Sequence, residues 1–165
     1  MKRKISLSMC CIAAFSVLIT ALMISLVLYN RNYKNMTNYI QNEAEYMAAA
    51  MNYNGVEYLD SVKDVSPSRI TWIANDGNVI FDNSGKKMEN HSDRSEFKEA
   101  IKSGIGESSR LSETLGKKTY YYAILMNDGT VLRISDTTSS IFSDIFNSLP
   151  YLILITVSYT HLTLP

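Results

Sequence analysis

Apolar residues are unevenly placed along this chain. Residues 5–29 contain no charged side chain, and about 20 apolar residues in a helix are enough to cross the hydrocarbon core of a bilayer. The run is longer than the core of a signal peptide and does not end in a small-x-small cleavage site, so residues 1–29 read as an uncleaved membrane helix. Lys2, Arg3 and Lys4 outnumber Arg31 and Lys34 on the far side. By the positive-inside rule the N-terminus is then cytoplasmic, and the chain beyond Tyr29 faces outward. A second apolar run at residues 149–157 is roughly 14 Å of helix, too short to cross alone. Residues 141–157 are therefore expected to begin a second, truncated membrane helix.

Between these runs the pattern changes twice. Tyr33, Met36, Ile40, Ala44, Met47, Ala48 and Met51 recur at spacings of three and four, which predicts an amphipathic helix over residues 30–55. Such a stripe packs either on its own domain or in parallel on a second copy. Asn54-Gly55 ends the helix, and residues 56–65 read as a short helical turn and loop. Residues 69–74 are β-branched and aromatic, and Asn75-Asp76-Gly77 predicts a tight hairpin returning through residues 79–81. Asn127-Asp128-Gly129 repeats that turn between strands at residues 120–125 and 130–134, after a polar strand at 106–114. Between the hairpins, Asp93 and Glu96 have capping-box spacing, Phe97, Ala100 and Ile101 make one apolar face, and Gly104 offers a stop. The order is helix, strand, strand, helix, strand, strand, strand, an α+β pattern with an antiparallel sheet.

Composition narrows the function. Sixteen basic and sixteen acidic residues cancel, so nothing draws the chain to nucleic acid. Cys10 and Cys11 are the only cysteines and both lie in the first apolar run; the outer region has to hold together by its own core, without disulfides. His91 has no second histidine at metal-like spacing, and Asp82, Glu89 and Asp93 match no known cation loop, so no metal site is expected. No nucleophile, base and orienting group combine into an enzyme site.

Over residues 69–133 the sequence resembles the extracytoplasmic sensor domain of phosphate-regulon (PhoR-type) bacterial sensor histidine kinases. The resemblance is carried by Arg69-Ile70-Thr71, Asp76-Gly77, Asp82-Asn83-Ser84, Glu89-Asn90-His91, Arg94, Glu96, Gly106, Ser108-Ser109-Arg110, Ser112, Thr114-Leu115-Gly116, Tyr122-Ala123 and Val131-Leu132-Arg133. One departure is Ser95, where many members of that family have proline. The resemblance and the element order together point to a PAS-like or single-Cache domain at residues 56–140, in the bacterial cell membrane. It implies a homodimer that answers an extracellular ligand or protein and passes the signal to a cytoplasmic kinase core, which uses ATP and Mg and phosphorylates a response regulator. None of that core is in this sequence, and the same sensor fold also serves chemoreceptors and diguanylate cyclases. Residues 157–165 look like translated sequencing adapter, so 158–165 are expected to be a non-native tail.

Candidate ligand contacts come from residue type. His91 and Arg94 lie in a dense polar cluster before the predicted middle helix. Arg110 lies among serines on the polar strand, and Tyr120, Tyr121 and Tyr122 bring hydroxyls to both faces of the next strand. His91, Arg94, Arg110, Tyr120 and Tyr122 form the expected ligand set. For each, a bland role as loop, ion-pair or core residue competes.

Overall fold

The computed structural model describes residues 2–55, 57–85, 89–112 and 117–138, with four isolated positions beyond. The expected second membrane helix and the tail lie outside the described residues, those four positions apart. The chain divides into two compact units, and residues up to Asn32 belong to a different one from Tyr33–Thr138.

Helix α1 runs Lys2–Asn54. Its early part has the surface of a membrane helix: Met9, Ile12, Phe15 and Leu18 are more than half exposed. An 18-residue window reaches a mean hydropathy of 2.6 with none of it buried, so length and composition suit a crossing of the bilayer.

Within Tyr33–Thr138, the later part of α1 uses the predicted stripe on its own domain. Ile40, Ala44, Met47, Ala48 and Met51 are buried with Ile70, Tyr120, Tyr122, Leu132 and Ile134. Gly55, at φ 73°, stops the helix. A short α2, Glu57–Val62, adds Leu59 to the same core.

The sheet has five strands, β1 Arg69–Ile73, β2 Val79–Asp82, β3 Ile105–Ser112, β4 Lys117–Leu125 and β5 Val131–Thr137. Their spatial order is β2-β1-β5-β4-β3 and every pairing is antiparallel. β4 and β5 reach past their predicted ends because Thr119 pairs with Thr137, their hydroxyls 2.8 Å apart. Period-two alternation divides the side chains. Ile70, Trp72, Tyr120, Tyr122, Leu132 and Ile134 turn towards α1. Thr71, Ile73, Ala123, Val131 and Arg133 lie at the alternate positions, and the apolar ones pack on Phe97 and Ala100 of α3, Ser95–Ser103.

The capping box expected at Asp93 does not form. The position before α3 is Arg94, with no side-chain capping bond, while Asp93 reaches forward to Lys98 at 3.2 Å. Glu96, fully buried, turns inward to the sheet because two arginines attract its carboxylate more strongly than a backbone N–H.

Candidate functional site

The α3 side of the sheet is half apolar and half polar. One row of paired residues crosses all five strands: Asp82, Thr71, Arg133, Ala123 and Gly106. The adjacent row holds Ser135, Tyr121 and Ser108. Arg133 sits mid-sheet at 3 % exposure, between small neighbours that leave its guanidinium room. Gly106 ends the row for a different reason. A Cβ there would lie 1.9 Å from the carbonyl oxygen of Glu96 and 2.7 Å from the Ala100 nitrogen, so glycine is what lets α3 press onto β3.

That close approach delivers Glu96 to the polar half. Its Oε2 bonds Arg110 and accepts from Ser108 Oγ at 2.7 Å, and its Oε1 accepts from Arg133 Nη1 at 3.2 Å. Arg133 Nη2 donates to Thr71 Oγ1 at 3.2 Å, Thr71 donates to Asp82 Oδ2 at 2.9 Å, and Asp82 pairs with Arg69 at 3.0 Å. Both Arg110 and Arg133 lie over the Tyr121 ring, 4.3 and 5.2 Å from its centre.

Burial alone raises the Glu96 carboxyl, but the bonds from Ser108 and Arg110 outweigh it and hold the group at about 2. Burial lowers Arg133, against the pull of Glu96. For Arg110 the bond to Glu96 outweighs burial and the net shift is upward. Among the described residues two arginines thus share one carboxylate, and one positive charge is left over at the centre of the site.

His91 reaches the same region from the loop before α3. Asn90 Nδ2 donates to Asp76 O at 3.1 Å and to Asn78 Oδ1 at 3.0 Å, and the His91 N–H donates to Gly77 O at 2.7 Å. Gly77 is at φ 85°, and a Cβ there would meet Ser92 N at 2.5 Å, so this hairpin turn also seats the loop. The imidazole is 4 % exposed. Burial, then Arg133 and Arg94, lower it to about 4. Among the described residues, His91 Nδ1 and Arg133 Nε are both buried without a hydrogen-bond partner.

Three of the five expected ligand residues therefore belong to one side of the sheet: His91, Arg94 and Arg110. Arg94 is exposed at its rim. Tyr120 and Tyr122 are on the other face, in the core under α1. Tyr120 Oη donates to Glu107 Oε2 at 2.8 Å and accepts from Gln41 Nε2 at 3.0 Å. Strand alternation separates them from Arg110: Tyr121, which is not in the expected set, is the tyrosine the arginines touch. Arg133, Glu96 and Thr71 are likewise additions to that set. Their signal in the sequence is a charged residue inside the apolar strand Val131-Leu132-Arg133-Ile134, a position that has to be paired when buried.

The chain matches no curated protein sequence. Residues 30–135, well over half of it, match the model of the family described as single Cache-like. That match reaches the class of extracytoplasmic sensor domains and not the phosphate-regulon subgroup. The β2-β1-β5-β4-β3 sheet, flanked by α1 on one face and α3 on the other, agrees with it. An apolar helix of spanning length followed by such a domain is the organisation of a membrane protein with an extracytoplasmic sensor, and the chain belongs to the single Cache-like family.

Proposed function

We propose that this chain is the signal-input portion of a dimeric membrane sensor histidine kinase of the phosphate-regulon type. Its N-terminus is cytoplasmic, and its single Cache-like domain reads a small anionic ligand. The carrying observation is the surplus positive charge of Arg110 and Arg133 over Glu96, beside two buried polar atoms that have no partner among the described residues. A buried charge without a counter-ion is costly. A small carboxylate or phosphate anion accepting from Arg133 Nε stabilises that charge and lies against the His91 ring. Ligand and Glu96 then compete for the same arginines, which makes the seating of α3 depend on occupancy. The kinase core, with its ATP and Mg, and the response regulator act on the cytoplasmic side.

Two measurements test this. Thermal-shift titration of residues 30–138 against inorganic phosphate and a panel of small carboxylates is expected to show at least one saturable stabilisation, lost in Arg133→Met. The chain fused to the cytoplasmic core of a membrane histidine kinase is expected to change autophosphorylation when Glu96 is replaced by Gln. Kinase output unaltered by deletion of residues 69–133 would rule the sensor reading out.

A further inference from the structure

On the α1 side of the domain, away from Glu96 and Arg133, lies a groove of about 580 Å³. Small-molecule sites usually span roughly 300–1,000 Å³. One wall is α1, where Tyr39, Asn42, Glu43 and Tyr46 are spaced three, one and three residues apart and so share a face. The other wall is Tyr58 and Val62 of α2 with residues 65–67. Tyrosines thus border the groove from both sides. Tyr39 is 48 % and Tyr46 77 % exposed, aromatic surface that the domain's own core leaves in water.

Charge selects what such a groove takes. Glu43 is the charged residue of the lining and is half-buried. Ser66 Oγ donates to its Oε1 at 2.7 Å, and Ser68 Oγ donates to its Oε2. These donors are neutral, so they satisfy the oxygens without cancelling the charge. Among the described residues no lysine or arginine pairs with Glu43. The surroundings do not cancel it either. Residues 35–62 hold Glu43, Glu45, Glu57 and Asp60 and no basic residue, and the next lysine, Lys63, is taken by Asp60 at 3.0 Å. Burial, then Glu43 and Asp136, raise the Tyr39 hydroxyl, which therefore stays protonated in a negative field.

The geometry points to a small organic cation of the methylated ammonium class as the occupant, held by the rings of Tyr39, Tyr46 and Tyr58 and by the Glu43 carboxylate. Aromatic faces attract a cation through their quadrupole, most strongly when it sheds its water. A primary ammonium is strongly hydrated and brings donors that need acceptors. Here both carboxylate oxygens already have donors, and most of the remaining lining is apolar. A methylated ammonium carries the same charge behind methyl groups, needs no acceptor and covers the exposed rings. This site is separate from the anion site proposed above, which lies on the α3 face of the sheet.

The test uses the full chain in an uncharged maltoside detergent, with tetramethylammonium as the probe in equilibrium dialysis at fixed ionic strength. Saturable uptake is expected, roughly tenfold tighter than that of methylammonium or of tert-butanol, an uncharged molecule of similar shape. Glu43→Gln is expected to weaken binding about tenfold and Tyr46→Leu about threefold. Tyr46 is largely exposed, so its variant keeps the fold, and circular dichroism checks the Glu43 variant. Inorganic phosphate and small carboxylates are expected not to compete, so this site and the anion site stand or fall separately. Equal uptake of tert-butanol or methylammonium, unchanged affinity in both variants, or competition from the anions overturns the proposal. Uptake of a lysine-rich peptide without uptake of tetramethylammonium also overturns it, and makes the groove a seat for a basic protein segment.

Discussion

Glu96 and His91 make the domain sensitive to acid in two adjoining windows. Glu96 is held at about 2 in the folded state, below the ordinary 4.5. The stability it contributes is present above pH 4.5 and is lost as pH falls towards 2. His91 is held at about 4 against an ordinary 6.5. The unfolded chain takes up that proton first, so stability falls between pH 6.5 and 4. Each shift corresponds to at most roughly 3–4 kcal/mol. Urea melts from pH 7 to pH 4 are expected to show falling midpoints, and His91→Gln to flatten that decline. Equal pH dependence in the variant contradicts the assignment. Glu96→Gln leaves two arginines without their carboxylate, and a loss of roughly 3–5 kcal/mol is expected at neutral pH in the same melts.

At the scale of elements, α3 and β3 are joined through Gly106 and through Glu96. Gly106→Ala forces the helix away from the strand and is expected to cost roughly 1–3 kcal/mol in denaturant melts. It is also expected to weaken the Glu96–Arg110 pair, which a double-mutant cycle with Arg110→Met reads as reduced coupling. On the other face, Tyr120→Phe removes the hydroxyl that joins β4 to Gln41 of α1 and to Glu107 of β3, an expected loss of about 1 kcal/mol. Strand and helix order, both hairpin turns and the Gly104 stop were legible in local pattern, because turn chemistry and periodicity act over a few residues. The start of α3 was not. Asp93 and Glu96 have capping spacing, but Arg110 and Arg133, distant in sequence, claim the Glu96 carboxylate.

For the whole molecule, residues 33–138 are expected to fold without the apolar part of α1, since their core is internal to that unit. A single cooperative unfolding transition by circular dichroism checks this, and loss of helix and sheet signals in separate steps contradicts it. The sequence by itself determined the apolar spanning helix, the α+β order and the turns, each written in contiguous residues through length, period or glycine. It also held the α1 stripe, but left open whether that stripe faced the chain's own sheet or another copy. Only the tertiary structure decided this, because helix and sheet meet through contacts between residues far apart in sequence. It also divided the tyrosines, giving Tyr121 to the arginines and Tyr120 and Tyr122 to the core. One residue of strand register flips a side chain through the sheet, and register is fixed by which strands pair.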